Sequence, residues 1–337
     1  MEIDEIKNLV SRWLYEKASK DYVAHKLFDL KVFAAEHDIN RELIGRIYEE
    51  LEREHFFNIR AAGMVVEPNI GALIYCEEHG LVDPAVVEKQ NDIRKRILEA
   101  CVDIHEEKLS AYAYGGPGDM ICKRANISRH DFDNNVEILA YQDYFEQQYP
   151  LDIWRIAPRG RETVKELRKR RKRLAEFENL KAGNDITPQA RGHKIEDLLA
   201  EVIGEEGWKV KTGERPQGME YDIVFSKDHE YFLVSCKWEK EAAQGEVVQL
   251  LITRAHDAGY YAGVFVSMLG YTDNCLVLAK ERKTNQKVLL FGPEDVESLF
   301  SNAEAIFSDK KWFSDLLDEK IQKLVHQNII LVDGVSN

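Results

Sequence analysis

The sequence predicts a C-terminal α/β domain, a mixed central sheet flanked by helices, preceded by two mainly helical units. Three observations predict this. From residue 184 onward the pattern runs helix, strand, strand, strand, helix, strand, with one further strand behind it. Before that, apolar residues recur at helical spacing in two successive sets, each followed by two short β-like runs. A polar stretch, Lys181-Ala182-Gly183-Asn184-Asp185, separates the two kinds of pattern. The expected units are 1–88, 89–183 and 184–337.

With 337 residues, 44% hydrophobic and 31% charged, the chain has a globular composition and enough length for two or three cores. No apolar run approaches the roughly 20 residues of a membrane helix, and the sequence opens on an acidic amphipathic stretch instead of a signal peptide, so the expectation is a cytoplasmic protein with no membrane partner. Cys76, Cys101, Cys122, Cys236 and Cys275 are scattered, without the spacing of a disulfide framework or a zinc site, and are expected to be reduced and mostly buried.

The net charge of −14 argues against a simple, permanently bound DNA protein, because phosphate contacts need a basic face. Charge is uneven, however. Residues 159–173 hold nine basic and two acidic side chains. A solvated helix, an interdomain linker and a phosphate-tracking surface formed by Arg168, Lys169, Arg170, Arg171, Lys172 and Arg173 are all compatible with that run.

Ile3, Ile6, Val10, Trp13 and Leu14 make 3–18 an amphipathic helix, and 23–35 predicts a second. Asn40 reads as the N-cap of a third, which runs to about Arg53. Two β-like runs, 56–60 and 64–68, and a helix over 71–78 complete the set. Three helices, a hairpin and a closing helix are the plan of a winged helix-turn-helix.

The plan recurs. A helix over 93–104, a helix start at Asn126-Ile127-Ser128-Arg129 that parallels Asp38-Ile39-Asn40-Arg41, β-like runs at 144–149 and 153–157, and a closing helix near Arg161 repeat the order. The expected recognition helices are acidic, with Glu42, Glu49, Glu50 and Glu52 in one and Asp131, Asp133 and Glu137 in the other. Such acids repel phosphates, so dimerisation or protein binding stands level with base reading, for which Arg129, His130, Asn134 and Asn135 are the candidates.

In the C-terminal domain, Ile195, Leu198, Leu199 and Val202 stripe a helix entered through Gly192. Strand 208–211 follows. Two β-rich runs then flank Ser226-Lys227-Asp228-His229-Glu230, an antiparallel hairpin. Alternation puts Phe232, Val234 and Cys236 on one face and Leu233, Ser235 and Lys237 on the other. A turn centred near Asp228 sets Asp222 opposite Ser235 and within reach of Lys237. Ionised groups in strands this apolar are costly unless they pair, bind metal or do chemistry. A salt bridge at the solvated end of the hairpin is the plainer explanation. A helix over 246–258 and strands at 262–267 and 287–291 come next, and helices and a last apolar run, 329–332, fill the C-terminus, packing on this core or forming a dimer face.

Glu196 in a helix, a lone Asp222 in a strand, then an apolar strand ending in Lys237 before another helix, is similar to the PD-(D/E)XK nuclease core. Gly192-x-x-x-Glu196, Tyr221-Asp222, Leu233-Val234-Ser235-Cys236-Lys237-Trp238, and Ala258-Gly259 through Val266-Ser267-Met268-Leu269-Gly270-Tyr271-Thr272 resemble the Mrr-like branch of restriction endonucleases. The likeness covers roughly 191–291, and nothing comparable marks the first 180 residues.

The resemblance implies divalent-metal-dependent hydrolysis of nucleic-acid phosphodiesters, with Mg²⁺ or Mn²⁺ as cofactor and plain or modified DNA as partner in a homodimer. It implies Asp222 as central metal ligand, the Cys236 carbonyl as another, Glu196 acting directly or through water, and Lys237 beside the attacking water. One departure is plain: Ser235 stands where the family has Asp, Glu or Gln. Glu246, at the start of the next helix, is the nearest replacement carboxylate, with Glu241 and Glu220 behind it, and Gln249 one turn on is a candidate to orient phosphate or water. Two functions therefore stand side by side, a DNA endonuclease of restriction or defence type and a catalytically weakened nuclease fold that binds nucleic acid or regulates. A winged-helix transcription factor, the third, gives no account of the hairpin.

Overall fold

The computed structural model describes residues 3–20, 28–53, 57–61, 64–109, 114–148, 152–183, 187–214, 221–238, 241–280, 287–308 and 310–333. The chain divides into two compact units, Met1–Glu166 and Leu167–Asn337. The division falls inside a helix, ahead of the boundary expected at 183/184. Its cause is packing: Phe177 and Leu180, late in that helix, belong to the core of the second unit.

The first unit repeats one order of elements. Helix α1 (Ile3–Lys20), strand β1 (Phe28–Asp29), helices α2 (Leu30–Glu36) and α3 (Arg41–Arg53), strands β2 (Phe57–Ala61) and β3 (Val65–Pro68) and helix α4 (Ile70–Glu78) form the first set. Helix α5 (Pro84–Glu106), strand β4 (Gly115–Pro117), helices α6 (Gly118–Ala125) and α7 (Arg129–Tyr141), strands β5 (Phe145–Gln148) and β6 (Ile153–Ile156) and helix α8 (Pro158–Ala182) form the second. Both sheets have the same antiparallel order, β1-β3-β2 and β4-β6-β5.

The caps expected at two helices are present. The Asn40 side chain accepts from the Glu42 amide at 2.8 Å, and the Ser128 hydroxyl accepts from the Asp131 amide at 3.0 Å. The single helix expected over 23–35 is replaced by β1 and α2, because Asp29 caps at that point by accepting from the Lys31 amide; residues 21–27 lie outside the described residues. A buried network ties the two sets together. Arg94, 3% exposed, donates to both carboxylate oxygens of Glu77 and to Asn135, and the Tyr15 hydroxyl donates to Glu77 at 2.9 Å.

The second unit is a three-layer α/β domain. Its elements are α9 (Pro188–Glu205), β7 (Lys209–Glu214), β8 (Tyr221–Lys227), β9 (Glu230–Lys237), α10 (Gly245–Asp257), β10 (Ala262–Ser267), α11 (Asp273–Lys280), β11 (Lys287–Phe291), α12 (Pro293–Ser301) and α13 (Trp312–Asp333). The sheet order is β11-β10-β9-β8-β7. Strands β9, β10 and β11 run parallel, whereas β8 is antiparallel to both its neighbours. The sheet is therefore mixed, as expected.

One face carries Ile223, Phe225, Phe232, Val234 and Cys236 against α8, α9, α12 and α13. The other carries Val224, Leu233 and Phe265 against α10 and α11. The entry to α9 differs from the expected Gly192: Thr187 caps it and Pro188 occupies its first turn. Helix α11 was not expected at all. The run 329–332 lies within α13.

Gly263 of β10 lets α10 close on the sheet, since a Cβ there would sit 2.9 Å from Leu251 Cγ. Gly263→Ala is expected to cost about 1–3 kcal/mol by overpacking, read as a lower urea midpoint; an unchanged midpoint would contradict this contact. All five cysteines are free and buried, and among the described residues no helix is long and apolar enough to cross a membrane.

Candidate active site

The hairpin sets the site. Strand pairing continues to Lys227↔Glu230, leaving a two-residue turn in which Asp228 and His229 have φ of 50° and 70°. Positive φ at both central residues is what the twist of a tight hairpin requires. Phe225 and Phe232 are register partners and stack at 4.7 Å, with Trp208 edge-on to both. This packing fixes the register on one face and so fixes what emerges on the other.

The pairing Ile223↔Val234 puts Asp222 beside Ser235, as expected. The Asp222 Oδ2 accepts the Cys236 amide at 2.9 Å. Asp222, Ser235 and Lys237 face α10 across a cleft of about 370 Å³, and α10 contributes Glu246, Val247, Leu250, Leu251 and Arg254 to its wall. Asp222, Ser235, Lys237 and Glu246 thus come together.

Glu196 reaches the same region from α9. Its carboxyl is pushed up first by burial and then by the charge of Asp222, opposed by a hydrogen bond with His193 Nδ1 at 3.2 Å. The Cys236 thiol is pushed well above its ordinary value by burial, with Asp222 and Glu196 adding to the shift. Two carboxylates therefore share this end of the sheet, and their mutual repulsion is the condition a cation relieves.

The donor set suits a hard divalent ion. All the candidates are oxygen ligands, and Mg²⁺ commonly takes only one or two protein carboxylates beside water and phosphate. Among the described residues no group of three His, Cys, Asp or Glu is placed to hold a metal. Asp222 and Glu246 line one cleft, and Glu196 lies near enough to Asp222 for their charges to interact. Gln249 is exposed and does not line the cleft, being one position off the stripe that does. Glu241 is exposed and outside it too, and Glu220 lies outside the described residues.

The basic candidates have other attachments. Arg129 is held by Asp119, Asp133 and Asp152, with 2.6 Å to Asp152. Asn135 is 1% exposed and accepts from Arg94, so it is buried and not presented for base reading, whereas the Arg129 side chain is 41% exposed. In α8, Arg173 and Lys169 pair with Glu205, Arg171 with Glu304 and Lys172 with Glu176, and Arg168 and Arg170 also have partners. Much of the run is thus paired within the second unit.

Two side chains near the carboxylates are not singled out by sequence alone. His193 was findable from its i, i+3 spacing to Glu196. Arg254 shares a helical stripe with Glu246 and Leu250, a spacing that is visible in sequence but carries no meaning without the cleft.

The sheet order, the hairpin and the acid-lysine cleft define a restriction-endonuclease-like domain. Residues 188–300, a third of the chain, match the restriction endonuclease family model Mrr_cat, and this segment is a restriction-endonuclease-like domain. No curated protein matches. Solved structures similar to the chain include the protein of unknown function AF1548 (19% identity, 30% of this chain and 56% of that one, TM-score 0.26). Protein VC1899 from Vibrio cholerae (13%, 67% and 57%, 0.26) and restriction endonuclease FokI (12%, 78% and 58%, 0.27) are others. The chain spans less than two thirds of the length of each.

Proposed function

We propose that the chain is a divalent-metal-dependent DNA endonuclease of restriction or host-defence type, acting on plain or modified DNA as a homodimer. The observation that carries this is the cleft in which Asp222, Lys237 and Glu246 converge from β8, β9 and α10, inside the segment that matches the restriction endonuclease family. Asp222, with Glu246 or Glu196 and the Cys236 carbonyl, would hold Mg²⁺ or Mn²⁺. Such an ion supplies positive charge against the phosphoryl oxygens and lowers the pKa of a bound water.

The protein's own groups do the rest. The Lys237 ammonium orients the attacking water or offsets charge developing on a non-bridging oxygen. The amide of Cys236 fixes the Asp222 carboxylate, and His193 does the same for Glu196. Val247 and Leu250 form an apolar wall beside these charges.

The repeated sets of the first unit are proposed as two winged-helix units, 1–88 and 89–183, that recognise DNA or a protein partner. Their matching β1-β3-β2 and β4-β6-β5 sheets support this.

Incubation with plasmid DNA, unmodified or carrying modified cytosine, in Mg²⁺ or Mn²⁺ tests the proposal. Strand cleavage that stops in Lys237→Ala is expected; no cleavage of any substrate would reject it.

Ser235 favours a second reading, a weakened nuclease fold that binds nucleic acid. Ser235→Glu separates the two. If Glu246 already serves the site, the substitution leaves cleavage unchanged or lowers it, whereas a gain of about tenfold or more identifies a site lacking its acid.

A further inference from the structure

Arg254 lines the same cleft as Asp222 and Lys237, and its Nε is buried without a hydrogen-bond partner among the described residues. A buried guanidinium N–H left unpaired is costly, more so than a neutral donor. Position explains what would satisfy it. Strands β9 and β10 are parallel and α10 joins them, so α10 runs back along the sheet from the Lys237 end. Leu251 packs on Gly263, the register partner of Leu233, and Arg254 follows it by about one turn. Eight residues separate Glu246 from Arg254, or about 12 Å of helix axis.

The cleft therefore has an acid-lysine end, an apolar wall and an arginine end. Leu250, 48% exposed, stands on that wall. An extended polyanion with apolar faces between its charges fits this arrangement. A strand carries one charge at every phosphate, so the two ends of the cleft would meet different phosphates of the same strand.

We propose that Arg254 binds a non-scissile phosphate of the strand whose scissile phosphodiester lies against Asp222 and Lys237, while the sugars and bases between them pass over Leu250 and Val247. The choice of scissile phosphate rests on the nuclease reading; the phosphate contact itself does not. A planar guanidinium suits a two-point grip on phosphate oxygens better than an ammonium does.

The test is fluorescence anisotropy with the full chain and a labelled mixed-sequence DNA, duplex and single strand, in Ca²⁺ over a series of salt concentrations. Arg254→Ala is expected to weaken binding about tenfold and to reduce the salt slope by about one. Arg254→Lys should recover part of the loss. Uncharged methylphosphonates placed one at a time along the strand should weaken wild-type binding at one non-scissile position and leave Arg254→Ala indifferent there. Equal binding by wild type and Arg254→Ala, identical methylphosphonate profiles, or no binding of either DNA form by wild type would each overturn the proposal. A wild type that never cuts DNA yet keeps the Arg254-dependent position rejects the nuclease reading alone.

Discussion

Asp222→Asn is expected to lower metal-dependent strand cleavage at least about a thousandfold, a loss of roughly 4 kcal/mol of transition-state stabilisation. Asparagine keeps the shape of the side chain and an oxygen to accept the Cys236 amide, so the hairpin should remain folded. What it removes is the formal charge that would hold a hard cation at the end of β8, and a neutral amide is a poor substitute for carboxylate in such a site. Single-turnover cleavage at saturating Mg²⁺ is the measurement. A variant that keeps more than about a tenth of the wild-type rate, about 1.4 kcal/mol in barrier, would remove Asp222 from the reaction.

Arg173→Ala carries the largest expected effect on stability. Arg173 is 7% exposed and donates to both carboxylate oxygens of Glu205, at 2.8 Å on one side, with Lys169 as a second cation on the same acid. Removing Arg173 takes two charge-assisted hydrogen bonds from Glu205 and leaves it Lys169 as a cation, so the cost is about 2–3 kcal/mol, below that of a stranded buried charge.

Glu205 also gives the effect its pH dependence. Burial raises its pKa, but the hydrogen bonds from Arg173 and Lys169 outweigh burial and hold the group below its usual value. A carboxylate depressed in the folded state contributes stability above its unfolded pKa of about 4.3 and loses that contribution as pH falls through the folded value. The gap in urea midpoint between wild type and Arg173→Ala should therefore be full near neutrality and shrink below about pH 4. A gap below about 0.5 kcal/mol at neutral pH, or one that widens in acid, would contradict the role of this pair.

These two residues show what sequence can and cannot carry. Asp222 was legible because strand alternation and the hairpin turn are local: Phe225 against Phe232 fixes the register, and the register places Asp222 beside Ser235. Arg173 was legible as a charge but not as a partner, since Glu205 and Glu304 approach α8 only through tertiary packing. The same limit hid β1 and β4. Each is two or three residues long, Phe28–Asp29 and Gly115–Pro117, and exists only by pairing with the second strand of its hairpin, which becomes the central strand of the sheet. Helix α11 escaped because Leu276 and Val277 are exposed on it and blur the apolar stripe that Cys275 anchors.

Location of Mn²⁺ by anomalous scattering in crystals of the full chain tests the proposed metal site most directly. A peak is expected about 2.0–2.2 Å from an Asp222 carboxylate oxygen, with an oxygen of Glu246 or Glu196 in the same coordination shell. A crystal saturated with Mn²⁺ that shows no ion at Asp222 would contradict it.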